Sequence, residues 1–319
     1  MRYFIIILFL VGFVSCSEKE NPKVDVSDIE VKTVVKRFDQ IFYTTSPENL
    51  YELKEEFPYL FPPQNPDSVW VNKMTDKDEL ELYAETQKLY KDFSEEEKQL
   101  ESLFKHIKYY YSKFDEPKIV TLLSNVDSDN RVILADSLLL ISLDVFLGKN
   151  HKFYNDFPNY VKQYFKKDYL PVAVAEKFAE EIIPPSNDKS FVARMIQEGK
   201  KVELMYSLLP EKEKMQILGY DAEQMEWAEA NESEGWKYFI EKLMLFSTDP
   251  ELSERFINPA PFSKFYLAND HESPGRIGVW FGWQIVRSFM KNNDVTLQKM
   301  LATPNEIIFK RSKYKPKKN

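Results

Sequence analysis

Cys16 is the only cysteine of the chain, and it closes the apolar run Phe4 to Val14 just before a polar stretch beginning Ser17-Glu18-Lys19-Glu20. Everything after it must fold without an internal disulfide, so side-chain packing alone has to hold the molecule together. The run is shorter than the roughly 20 apolar residues that cross a bilayer, and it follows a short basic start, Met1-Arg2. A basic start, a short apolar core and a small residue, Ser15, before the break have the order of an export leader. This divides the chain into a leader over 1–15, a flexible polar tether over 16–30 and a single globular body over 31–319. Fully extended, the tether reaches up to ~45 Å.

The body is expected to be helical. It has few glycines, eight in the whole chain, and long charged, amphipathic segments, which favour helix over strand. Helices are predicted over Ser46 to Phe57, Lys77 to Asp92 and Ser94 to Phe114, with Ser94 and Glu97 spaced as a capping box. Others are predicted over Pro171 to Ile183, Ser190 to Leu209, Asp221 to Phe246, Gly275 to Lys291 and Thr296 to Leu301. Val31 to Tyr43, Lys118 to Ser124 and Arg131 to Phe146 read as strands, the last two through runs such as Ile119-Val120-Thr121-Leu122 and Leu138-Leu139-Leu140-Ile141. The fold class is therefore α+β and helix-rich, with helices packed on a small central sheet. A formal net charge of −8 argues against a nucleic-acid partner. From Ile307 onward the sign reverses: Lys310, Arg311, Lys313, Lys315, Lys317 and Lys318 meet no acid, as in a solvated terminus or one that touches anionic lipid headgroups.

Sites of chemistry are sparse. His106, His151 and His271 are scattered with no helical pairing, so they offer no zinc site, and nucleotide-binding or serine-hydrolase motifs are missing. Glu198 falls inside the apolar stripe of Val192, Met195, Ile196, Val202, Tyr206 and Leu209. A buried carboxylate there needs a cation, a hydrogen bond, a metal or a proton. Gly199 beside it implies close approach of another backbone. Trp227, Asn231 and Glu232, with Trp280 and Trp283, are either core or the lining of a cleft with Glu198. Gly278 and Gly282 share a helix face suited to tight packing.

The placement of Cys16 resembles the lipobox of bacterial lipoproteins, which implies lipidation on its sulfur and cleavage before it. Further on, the tryptophans join a recognisable set: Met195 to Lys200, Asn258 to Phe265, Ser273 to Gly278, Gly282 to Arg287 and Ser312 to Pro316. With this set, the chain resembles the gliding motility lipoprotein GldB family of the Bacteroidetes over essentially all of its mature length. The resemblance implies a lipoprotein required for gliding and linked to type IX secretion. A remoter resemblance is to gluzincin zinc peptidases, whose H-E-x-x-H helix is followed by a glutamate ligand. Ala175-Glu176-Lys177-Phe178-Ala179 would stand in that motif's place and Glu198 in the ligand's, so the zinc histidines are replaced by alanine.

These readings lead to a degenerate, gluzincin-like body that is not an enzyme and uses no metal or cofactor. It is expected to be anchored to the inner or outer membrane with the body in the periplasm, and to bind another envelope protein of the gliding or secretion machinery. Three alternatives stay open. One is a hydrolase using Glu176 and Glu198, another a ligand-binding lipoprotein with an aromatic cleft, and the third an oxygen site for calcium or magnesium at Glu176, Glu180 and Glu198.

Overall fold

The computed structural model describes residues 24–317; Cys16 and the leader lie outside the described residues. β1 (Val35–Lys36) leads into α1 (Phe38–Thr44), followed by α2 (Leu50–Glu56), α3 (Asp67–Thr75), α4 (Lys77–Tyr90) and α5 (Ser94–Tyr110). Next come β2 (Lys118–Leu122) and a hairpin of β3 (Val132–Ala135) and β4 (Leu138–Ser142). The rest is helical: α6 (Asn159–Lys162), α7 (Leu170–Ile182), α8 (Phe191–Leu208), α9 (Lys214–Leu218), α10 (Ala222–Ala230), α11 (Glu232–Glu241), α12 (Glu251–Phe256), α13 (Ile277–Asn292), α14 (Leu297–Ala302) and α15 (Asn305–Ser312). This is the helix-rich α+β class that the sequence predicts.

The sheet runs β1-β2-β4-β3, with β1, β2 and β4 parallel and β3 antiparallel at the edge. Its two-residue side-chain period separates two apolar clusters. Ile119, Leu139 and Ile141 join the main core with α5, α7 and α8. Val120, Leu122, Leu138 and Leu140 face a smaller cluster of Phe38, Phe42, Phe57, Phe61 and Trp70. Where the parallel strands end, two buried acids are fully engaged. Asp39 accepts from Arg37 (Nε, 2.9 Å; Nη2, 2.7 Å), Gln87 (2.9 Å) and Thr121 (2.5 Å). Asp144 accepts from the amides of Ser124 (3.0 Å) and Val126 (2.6 Å). Burial pushes the Asp144 carboxyl above the usual aspartate range, against the pull of these amides. The same amides hold Asn125 and Val126 in the left-handed region, both at φ 61°, an uncommon conformation for a β-branched residue.

The main core is organised by a seam between α8 and α13. A Cβ on Gly282 would lie 1.7 Å from the Met195 carbonyl oxygen, and one on Gly199 would lie 2.2 Å from the Gly282 carbonyl carbon. Only hydrogen fits at either position, so the close backbone approach expected at Gly199 is real and Gly282 supplies its other side. The seam is completed by Trp283, wholly buried, whose Nε1 donates to the buried Glu203 at 2.6 Å. Lys200 crosses to α14 and donates to the carbonyls of Leu301 (3.1 Å) and Thr303 (2.7 Å), and burial pulls its ammonium down to about 8.

Three local expectations fail for identifiable reasons. Val31 to Tyr43 is not one strand: Phe38 and Phe42, one helical turn apart, pack on one another and enter one cluster, Phe38 against Phe57 and Phe61 and Phe42 against Trp70. The Ser94–Glu97 capping box does not form, because Asp92 accepts from the Ser94 amide (3.0 Å) and hydroxyl (3.1 Å) and Phe93 becomes the cap. The single helix over Asp221 to Phe246 is broken at Asn231, whose backbone and side-chain amides both donate to the Trp227 carbonyl at 2.9 Å. This closes α10 and starts α11.

Candidate functional site: the α7–β3 cleft

The open side of the sheet is the edge strand β3. Ser142 donates its amide to the Arg131 carbonyl at 2.9 Å, and β3 pairs with β4 in the register Val132↔Ile141 to Ala135↔Leu138. In an antiparallel ladder, bonded and unbonded pairs alternate. Val132 and Leu134 therefore turn their amides and carbonyls away from β4, toward an edge beyond which no further strand lies among the described residues. Val132 itself is buried and Leu134 is partly exposed, so the accessible part of this edge lies at Leu134, and an accessible edge is a ready template for another chain. Alongside it runs α7, whose Val172, Val174, Ala175, Phe178 and Ala179 are buried in the main core.

At the N-terminal end of β3, Arg131 donates from Nη2 to Glu176 Oε2 of α7 at 3.2 Å. The Arg131 guanidinium also lies 5.6 Å from the Tyr169 ring centre and 6.0 Å from that of Tyr164, within cation–π range. Arg276 joins them from the start of α13. Its backbone is left-handed at φ 62°, and its Nε donates to the Ile257 carbonyl at 3.2 Å. Burial works against its charge, but Tyr164, Glu176 and Tyr169 more than offset that and hold the guanidinium above the usual arginine range. Burial likewise lifts the Tyr169 and Tyr220 hydroxyls above their usual range, so both remain neutral donors; Tyr220 donates to the Gly275 carbonyl at 3.0 Å. Two guanidinium groups thus face one carboxylate, leaving an excess positive charge.

At the other end the cleft widens into a cavity of about 820 Å³, lined by Leu134 and Asp136 from the hairpin, Phe178, Glu181 and Ile182 from α7, and Tyr110, Tyr111 and Phe114 beyond α5. The whole cleft is a strip of unpaired main chain with a cationic cluster at one end and an aromatic hollow at the other. Chemically it suits an extended polypeptide: the strand edge can bind main chain, the hollow a large apolar side chain and the arginines an acid.

The family model for gliding motility protein GldB matches residues 19–316. The chain belongs to the GldB family. That family is involved in gliding motility, and its lipoprotein designation associates it with the cell envelope. Neither the curated proteins nor the solved structures compared with the chain gave a match. Among the described residues of this GldB-family chain, no helix is long and apolar enough to cross a membrane.

The residues singled out from the sequence do not share one site. Glu176 stands in the α7–β3 cleft, bound to Arg131. Glu198 is half-buried on α8 and pairs with Lys201 at 2.8 Å, one turn along its own helix, while Glu180 is exposed and pairs with Lys177 at 2.9 Å. The three glutamates therefore form separate ion pairs, and no group of three His, Cys, Asp or Glu side chains suited to a metal ion is found among the described residues. The deeply buried acid of α8 is Glu203, not Glu198. Trp280 and Trp283 are core, as are the buried parts of α13 around them, because the glycine seam draws that helix against α8. Glu232 is buried too and accepts from the Tyr314 hydroxyl at 2.6 Å. Trp227 and Asn231 line a hollow together, one of about 270 Å³ shared with Tyr238 and Phe265. The single aromatic cleft expected from sequence is corrected to this smaller one. Arg131, Tyr169 and Tyr164 went unnoticed in the sequence. The one signal for Arg131 was a lone cation directly before a hydrophobic strand.

Proposed function

We propose that this GldB-family protein works in gliding motility as a lipid-anchored envelope protein that binds and does not cut, holding an extended segment of another envelope protein in the α7–β3 cleft. The observation that carries this reading is the state of α7. Ala175 and Ala179, at the positions where a zinc peptidase would place its two histidines, have no exposed surface and no donor atom for a metal. Glu176, at the general-base position, is tied to Arg131 and faces the Arg276 charge. An oxygen of its carboxylate is thus already occupied by a guanidinium. The strand edge and aromatic hollow beside it remain suited to binding. In this reading the anchor is an acylated Cys16, the body lies in the periplasm, and the bound segment belongs to the gliding or secretion machinery.

The test uses the full chain in gliding cells with a photo-crosslinking residue at Ile133, which lies exposed on β3. The expected result is one dominant crosslinked envelope protein, reduced strongly by Arg131→Glu and by Leu134→Pro, which removes an edge donor. Gliding should be lost in the same variants, with the fold retained. Metal-independent hydrolysis of peptides by the purified protein that disappears in Glu176→Gln would replace binding with catalysis.

A further inference from the structure

A second surface, remote in purpose from the cleft, is built at the turn that follows α11. Three large apolar side chains are exposed within seven residues: Ile240 at 49%, Leu243 at 84% and Phe246 at 71%. Scattered exposed apolar residues are ordinary, but these are clustered and held in place. Leu243 sits in the left-handed region at φ 54°, its amide donating to the Ile240 carbonyl at 3.0 Å, and the Met244 amide returns to Phe239 at 2.9 Å. Met244 and Leu245 between them are buried, and the carbonyls of Leu245 and Ser247 accept from Val192 (2.9 Å) and Phe191 (2.8 Å) at the start of α8. The turn is thereby pinned to the core while Leu243 and Phe246 project outward.

The neighbour of this tip is the basic C-terminal segment. Phe246 packs on Phe309 of α15, ring centres 5.8 Å apart, and Phe246 and Lys310 line one hollow. One turn before Ile240 on the same face of α11, Trp236 contacts Phe309 (6.3 Å) and Tyr314 (5.0 Å). The apolar tip therefore continues into Lys310, Arg311, Lys313, Lys315 and Lys317, all exposed. Acids do stand nearby: Glu241 follows Ile240, and Asp188 and Glu306 share the hollow with Lys310. From Ile307 onward, however, none interrupts the cations.

We infer that this surface rests on an anionic phospholipid bilayer, with Ile240, Leu243 and Phe246 entering the headgroup region and the basic segment meeting the lipid phosphates. Protruding apolar side chains beside cations are the chemistry of an interfacial contact. A protein partner would need polar complements that this tip lacks. Lipid headgroups present a continuous plane of phosphates that Lys310, Arg311, Lys313, Lys315 and Lys317, all exposed, can meet together. Such a contact would fix how the body stands on the membrane and so which way the α7–β3 cleft faces, yet it does not depend on what that cleft binds.

The experiment reconstitutes the full chain carrying Leu243→Trp into vesicles of phosphatidylcholine with and without phosphatidylglycerol, both with brominated acyl chains. Tryptophan emission should shift to the blue and be quenched in the phosphatidylglycerol vesicles. The effect should weaken with added salt and be lost when Lys310, Arg311 and Lys313 are all changed to glutamate. Val69→Trp, at an exposed position of α3, should stay unquenched. Absence of quenching at Leu243→Trp, equal quenching at both positions, or a blue shift that grows with protein concentration without lipid would each overturn the inference, the last in favour of a second copy as the occupant.

Discussion

The α8–α13 seam and the α7–β3 cleft share a helix layer but are built on opposite terms. In the seam, glycine is used where backbone meets backbone, and the buried polar atoms of Trp283 and Glu203 satisfy each other. In the cleft, the outward main-chain groups of Leu134 stay unpaired and charged side chains remain half-exposed. A protein leaves such groups open at some cost in solubility and specificity, so the contrast separates the part that keeps the shape from the part that has something to hold. The two regions should respond to mutation in opposite ways.

The largest effect is expected in the seam. Gly282→Val places a side chain where even a methyl would overlap the Met195 carbonyl, and loss of more than about 4 kcal/mol is expected, enough to unfold a typical domain; thermal denaturation followed by circular dichroism checks it. A folded Gly282→Val protein would mean that α8 and α13 can separate, and the contrast would collapse. Trp283→Phe is the next step down: it keeps most of the packing but leaves the buried Glu203 without its indole donor, at about 1–3 kcal/mol, read from urea midpoints. In the cleft, Arg131→Ala breaks a half-exposed ion pair, and its effect on stability should stay within about 1 kcal/mol while gliding is lost. A large loss of stability would make Arg131 a structural residue and remove the cleft's special standing.

A further effect is one of pH. Lys200 titrates at about 8 in the folded chain and at about 10.4 when unfolded. Between those values the unfolded chain binds more protons, so this group makes stability rise with pH across that window. The cost of its buried charge is fully present below about pH 8. Lys200→Met should flatten that rise in a series of urea titrations. An unchanged slope would place the ammonium in better contact with water than its burial suggests.

What could be read from the sequence follows the physics of each signal. The long amphipathic helices α5, α7, α8 and α13 were legible because their periodicity repeats over several turns, and Gly199 was legible because glycine inside a helix needs a reason. The strands were visible as apolar runs, but the one expected over Arg131 to Phe146 turns back at Asp136 and Ser137 into the β3–β4 hairpin. Short helices such as α9, α12 and α15 offered too few turns to establish a period. Phe38 and Phe42 were misassigned because β-branched residues just before them favoured strand, while the demand from Phe57 and Phe61 is tertiary. The α7–β3 cleft was not legible: Glu176 was singled out only through the remote peptidase resemblance, and Arg131, Tyr169 and Arg276 come from separate parts of the chain and converge only in three dimensions. Glu198 was singled out by its place in the apolar stripe and Glu203 was not, whereas Glu203 is the acid enclosed beside Trp283.

β1 has a mechanical consequence. It is two residues long and pairs in parallel with β2, through Val35↔Ile119 and Lys36↔Val120, and the Ile119 amide donates to the Val34 carbonyl at 2.9 Å. Any pull applied from the N-terminal side reaches this strand first. Its few hydrogen bonds would yield before α1, where Phe38 and Phe42 are lodged among Phe57, Phe61 and Trp70. The molecule thus carries a weak link ahead of a strong one: under tension it would release a few residues of slack and then hold, so the core and its cleft would keep their shape while the N-terminal connection lengthened.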